Sequence, residues 1–316
     1  MGSLLGTRRS GVLAIHRRPE RLYMSYVLQT DSNTGEGLRR IAVEQIERAI
    51  AVFDDKQLQQ DEAVHRARQR CKKIRALLHL LGEANSAVTD FENSQMRDAA
   101  AGLAQVRNAD ALLDTYDDFR KCATEGVSCR VLKRVRQVLL ERRELTVGED
   151  SQVEIRIEGF RADMCAALER ASSWAIELDG AAHLLLGFER SHRHGRRAMK
   201  SCRRAPSNER YHEWRKWSKY QLYQTRLLKH YLTDSLKQRV RGLIRIGELL
   251  GIDHDLAVLR HELVEASDFS SVRDLTGVGG LPEAIDEQRR HLQKQSLKLG
   301  KRMYTIGIEK RIRFAS

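Results

Sequence analysis

The chain has 316 residues, 41% of them hydrophobic, which is enough to furnish a core for two ordinary domains or one large helical array. Its formal net charge is +13, from 56 Lys and Arg against 43 Asp and Glu, so composition favours a polyanionic partner: nucleic acid, an anionic membrane surface or polyphosphate. The five cysteines (Cys71, Cys122, Cys129, Cys165 and Cys202) are odd in number, scattered and without a C-x-x-C pair, so they signal neither a disulfide framework nor a zinc site, and a reducing compartment is expected. No apolar run reaches the roughly 18 to 20 residues of a membrane span, so a soluble protein without a membrane partner is expected.

Residues 1–33 are expected to form a flexible basic arm, with Arg8, Arg9, Arg17 and Arg18 and no acid among the first 19 positions. Only Pro19, Pro206 and Pro282 occur, so the chain from Glu20 to Ala205 lacks the residue that most reliably breaks helices. Apolar positions recurring at three and four spacing predict helices over 34–56, 58–81, 86–104, 107–124, 128–145, 151–178, 181–204, 207–231, 234–251, 253–267 and 283–305. The alternating stretch Val153 to Glu158 has strand periodicity but runs into a helical pattern and is read as helix. Residues 268–281, with Gly277, Gly279 and Gly280, read as a long loop. They lack the lysine and the preceding strand that a phosphate-cradling glycine loop requires.

An internal repeat carries the functional signal. His65-x-x-Arg68-x-x-x-Lys72 returns as His212-x-x-Arg215-x-x-x-Lys219, at an offset of 212 − 65 = 147. The polar opening of an apolar helix at Arg107 to Leu113 returns at His254 to Arg260, and 254 − 107 is again 147. Positions i, i+3 and i+7 share one helix face, so each copy presents a cationic stripe beside an apolar one. Arg75 and His79 extend the first stripe; Lys216 flanks the second and Arg226 lies further along it. The first stripe lacks the acids that would make ordinary i, i+4 pairs, and unpaired like charges on one face call for a bound polyanion. A third basic segment offers Arg193, Arg197 and Lys200 as another wall. His192 and His194 lie in that segment, but its positive charge opposes a metal ion, and no metal or cofactor is expected. Trp214 and Trp217 are expected in the core.

With these lines in view, the sequence resembles the conserved histidine α-helical domain, the CHAD family. The resemblance rests on Ala63 to Arg68 with Lys72 to Arg75, and on Tyr211 to Lys216 with Lys219, supported by Arg107 to Leu113 and Leu249 to Leu259. It runs from about residue 34 to about 304. It implies an all-α fold of two pseudo-symmetric helical bundles from an internal duplication, residues 34–178 and 179–305, with a basic channel or groove between them and a tail at 306–316. It further implies non-catalytic binding of inorganic polyphosphate by His65, Arg68, Lys72, Arg75, His212, Arg215, Lys216 and Lys219, in the cytoplasm and at polyphosphate granules. Asn108 stands where the family tends to have Asp, and Gln221 and Leu222 where a further Arg is often found. Glu154 to Glu158 does not match the E-x-E-x-K strand of the catalytic domain that some relatives carry, so no enzyme is expected. Alternatives are a nucleic-acid-binding basic protein, a polyphosphate-processing enzyme with His65 or His212 as nucleophile, and a helical scaffold whose charge serves solubility. Histidines beside phosphate predict binding that tightens as the pH falls from 8 to 6.

Overall fold

A computed structural model of the chain describes residues 26–30, 33–82, 85–104, 108–122, 127–147, 150–176, 178, 180–232, 236–266, 269 and 280–305. These form ten helices and, among the described residues, no strand: α1 (Thr34–Ala51), α2 (Gln60–Leu81), α3 (Ser86–Gly102), α4 (Asn108–Arg120), α5 (Cys129–Val147), α6 (Asp150–Ser172), α7 (Gly180–Arg204), α8 (Asn208–Leu227), α9 (Leu236–Glu265) and α10 (Leu281–Thr305). The all-α expectation holds, Val153 to Glu158 included.

Local chemistry accounts for several boundaries. The Asn33 side chain accepts from Gly35 N at 2.9 Å and Glu36 N at 3.3 Å, and Ser207 Oγ accepts from Arg210 N at 3.3 Å, so both α1 and α8 begin on a side-chain cap. Helix α2 stops at Gly82, whose φ of 68° suits a residue without a side chain. Pro282 sits in the first turn of α10, where its missing N–H has no intrahelical partner to lose. One boundary differs from the sequence reading. Gly251 does not end a helix, and the two helices expected over 234–251 and 253–267 are joined as one continuous α9 over Leu236–Glu265. A helical glycine leaves a notch on the helix surface, and here a side chain from α8 occupies it.

The packing order repeats along the chain. Helix α1 packs on α2 and α6, α2 on α3, and α3 on α6; α7 packs on α8 and α10, α8 on α9, and α9 on α10. Helix α2 also lies against α7 and α8, joining the two sets. At Gly187 the backbone of Leu80 occupies the space a Cβ would need, so α7 meets α2 at close range. The hairpin α4–α5 leaves the first set: Leu112, Leu113, Tyr116 and Phe119 share a core with Leu256, Leu259 and Leu263 of α9, and Arg142 of α5 pairs with Glu262 at 2.8 Å. By packing, residues 108–147 thus go with α9 and α10.

The arm expected at the N-terminus is docked over its described end. Tyr26 and Leu28 are buried, Tyr26 Oη donates to Lys73 O at 2.6 Å, and Leu28 N donates to Leu227 O at 2.9 Å. Burial of these two side chains, with the two hydrogen bonds, anchors this end of the segment. Residues 1–25, Arg107, the glycine-rich stretch 270–279 and the tail 306–316 lie outside the described residues.

Candidate functional site

The helix periodicity that puts Val64, Ala67, Cys71, Ile74 and Leu78 of α2 into the core leaves Arg68, Lys72, Arg75 and His79 on the neighbouring face, toward α8. On α8, burial of Tyr211, Trp214 and Ser218 turns His212, Arg215, Lys216 and Lys219 toward α2 and α9. The two stripes meet. Lys72 is held down to about 7 by burial first and then by Arg215, Arg68 and Lys219, so charges from both copies of the motif surround one ammonium group. Arg215 Nε is buried with no hydrogen-bond partner, as is Arg190 Nη2 on α7.

Helix α9 forms the floor. A Cβ at Gly247 would stand 3.0 Å from Lys219 Cε, and one at Gly251 would stand 3.4 Å from Arg215 Nη2. Two glycines four apart thus give Arg215 and Lys219 room to lie along the α9 backbone. One turn on, the His254 ring is 5.2 Å from that of His212. Burial and then Arg215 and His212 push His254 down to about 4, and burial with Arg215 and Lys216 lowers His212.

At the other end an aromatic wall replaces the glycines. The His194 ring of α7 stacks on Trp217 at 4.4 Å and 11°, and His79 lies 5.2 Å from Trp217 and 4.6 Å from Tyr220. Arg75 lies over the Tyr220 ring at 5.6 Å and donates Nε–H to the neutral Asn93 Oδ1 at 2.9 Å, while Lys216 lies over Trp217 at 5.8 Å. Burial lowers His79 to about 4, helped by Arg75, Lys216, His194 and Arg190. Glu213 brings a carboxylate to this end. It is engaged by Lys216 at 2.5 Å and by Trp217 Nε1 at 2.6 Å.

Of the residues singled out in the sequence, Arg68, Lys72, Arg215 and Lys219 converge, with His212 at one end and Arg75 and Lys216 at the other. His65, half-buried, lies one turn N-terminal to Arg68 on α2. Arg197 and Arg193 are exposed and act on His194 from α7, and Arg193 also pairs with Glu189 at 3.8 Å. Lys200 is exposed on the solvent side of α7, away from the cluster, because Ala198, Met199 and Cys202 take that turn's buried positions. Arg226 belongs to the far end of α8 and acts on the buried Tyr26. Trp214 is core, as expected, while Trp217 is half-buried, packed against the core on one side and stacked with His194 on its ring. His192 faces Tyr304 and Arg239, on another side of α7 from His194, so the pair does not converge on a metal.

Gly247, Gly251, Arg190, Trp217 and Tyr220 were not read as site residues. The spacing Gly247-x-x-x-Gly251 inside an apolar helical pattern was the available signal for the first two, since an interior glycine is tolerated chiefly where something packs against it. The others depend on which helices become neighbours.

Comparison with known proteins agrees with this architecture. The family model described as the CHAD domain matches residues 41–264. Among solved structures, the chain is similar to the CHAD domain from the plant Ricinus communis, at 16% identity and a TM-score of 0.54 over 92% of this chain and 97% of that one. It is also similar to PptA from Streptomyces chartreusis, at 12% identity and a TM-score of 0.55 over 87% of this chain and all of that one (100%). At such identities the likeness is one of fold. None of the curated proteins matches the chain.

Proposed function

The chain belongs to the CHAD domain family, and from that premise we propose that it binds inorganic polyphosphate without acting on it, along the cationic cluster that α2 and α8 form over α9. The observation that carries this reading is Lys72, set among Arg68, Arg215 and Lys219, with burial first and then these cations lowering its pKa. Such a concentration of positive charge attracts an anion. A linear polyphosphate supplies about one charge per unit and no bases to read, and it suits a row of Arg forks and Lys points on two crossing helices. Counterion release then makes affinity fall steeply with salt.

On this reading the 147-residue offset and the repeated packing order reflect a duplication, and one ligand spans both copies. No residue is assigned a chemical step. His79 and His254 are driven toward their neutral forms, and Glu213 is occupied by Lys216 and Trp217. The protein would reside in the cytoplasm and gather at polyphosphate granules. No helix among the described residues is long and apolar enough to cross a membrane.

Calorimetric titration of the whole protein with long-chain polyphosphate tests the proposal, with single-stranded RNA and duplex DNA as competitors. Tight binding that neither nucleic acid displaces supports it. Equal competition by RNA or DNA, or release of phosphate on adding Mg²⁺, would sink it in favour of a nucleic-acid binder or an enzyme. The floor offers a sharper check. Gly251→Leu places a branched side chain where Arg215 Nη2 lies, so it is expected to weaken polyphosphate binding by roughly tenfold or more, the worth of one displaced charged hydrogen bond, while the far-UV circular dichroism is unchanged.

A further inference from the structure

Resting on that reading, we infer that a polyphosphate longer than the cluster can hold continues over the crest of α7 onto α10. Its path is an exposed basic track through Arg196, Lys200 and Arg203 of α7 and Arg290, Lys294 and Lys298 of α10.

The track follows from how the two helices pair. A Cβ at Gly195 would meet Tyr304 Oη at 2.5 Å, and one at Gly300 would meet Met199 Sδ at 2.6 Å, which fixes α7 and α10 as antiparallel neighbours with residue 195 beside 304 and 199 beside 300. This contact lies on the opposite flank of α7 from His194, which stacks on Trp217 of the candidate site. All six track residues are exposed. At 100° per residue, Arg196, Lys200 and Arg203 fall between the solvent crest of α7 and its α10 flank. Arg290 and Lys294 fall between the solvent crest of α10 and its α7 flank, and Lys298 on the crest itself. This register sets Lys298 level with position 201, between Lys200 and Arg203, while Lys294 and Arg290 carry the row past the end of α7 at Arg204.

Charge along this surface has one sign. There is no Asp or Glu in residues 190–204 or in residues 288–305. Carboxylates reach these segments at their ends, Glu189 on Arg193 and Asp253 and Asp286 on Arg289, and on the far flank of α7, where Glu213 acts on His194. The crest is also continuous with the site, because Arg190 and Arg197 of the same helix act on His194. Positions 193 to 203 add about 15 Å of path at 1.5 Å per residue. No aromatic residue is exposed along it to stack a base, and continuity with the buried cluster makes the occupant the same chain rather than a separate duplex.

The outer track predicts that affinity depends on chain length. Four exposed positions that lie outside the buried cluster can be reversed together, Arg196→Glu, Arg203→Glu, Lys294→Glu and Lys298→Glu, in the whole protein. Isothermal titration with sodium tripolyphosphate and with long-chain sodium polyphosphate then separates the two regions. The expected result is unchanged tripolyphosphate affinity, long-chain affinity reduced by roughly tenfold or more, and a salt dependence shallower by about one unit of slope per lost contact. Long-chain affinity equal to that of the unaltered protein overturns the track while leaving the site reading intact. Failure of the unaltered protein to bind either phosphate overturns both. Duplex DNA that binds the unaltered protein as tightly as long-chain polyphosphate, and is equally weakened by the reversal, overturns polyphosphate as the occupant.

Discussion

Replacing Arg68 and Arg215 together by alanine is expected to reduce affinity for long-chain polyphosphate by roughly a hundredfold or more, with each single change falling between the double variant and the unaltered protein. The two guanidinium groups belong to different copies of the motif, and both act on Lys72. A charged hydrogen bond contributes about 1.5–3 kcal/mol, so the loss of two amounts to at least a factor of about a hundred. The single changes should not add, because removing one cation relieves repulsion felt by the others; a double-mutant cycle by calorimetry measures that coupling. If Arg68→Ala weakens binding and Arg215→Ala does not, the ligand does not span the two copies. Loss in both places it between α2 and α8.

Lys72 should control how binding and stability depend on pH. Its pKa in the folded, ligand-free protein is about 7 against an ordinary 10.5. A bound polyanion favours the ammonium form, so binding carries a proton uptake at any pH above about 7, and affinity should fall by up to about tenfold per pH unit between 7 and 9. Lys72→Arg keeps its charge across that range and should flatten the dependence. Titrations of the two proteins that superimpose from pH 6 to 9 would remove Lys72 from the mechanism. The histidines contribute less than the sequence alone implies, since His79 and His254 stand near 4 and His212 is lowered.

Stability follows with the opposite sign. The unfolded chain holds the Lys72 proton more firmly than the folded one, so this group costs nothing above about pH 10.5, progressively more as pH falls, and its full amount below about 7. Lys72→Met should therefore stabilise the ligand-free protein at pH 7 by on the order of 2–4 kcal/mol, raising the Tm by several degrees, while weakening polyphosphate binding. The gain should shrink as the pH approaches 10. A Tm for Lys72→Met at or below that of the unaltered protein at pH 7 would mean that the cluster is already relaxed without a ligand.

Helices and their faces are legible in the order of residues alone. Absence of proline from 20–205 and apolar spacing set the elements, and the H-x-x-R-x-x-x-K spacing put His65, Arg68 and Lys72, and again His212, Arg215 and Lys219, on single faces, because side-chain direction on a helix depends only on local geometry. The tertiary structure decided what those faces meet. It brought Arg215 and Lys219 against Lys72, which turns an ordinary lysine into one that titrates near 7, since desolvation and Coulomb repulsion depend on distance through space. It also kept α9 whole through Gly251 and used that glycine as room for Arg215, where the apolar spacing and the glycine read as a helix end. Finally, it divided the basic segment of α7 between two surfaces, Arg190 and Arg197 beside His194 and Arg196, Lys200 and Arg203 beside α10. The sequence marks a run of cations, but only the helices packed on either flank say which way each one faces.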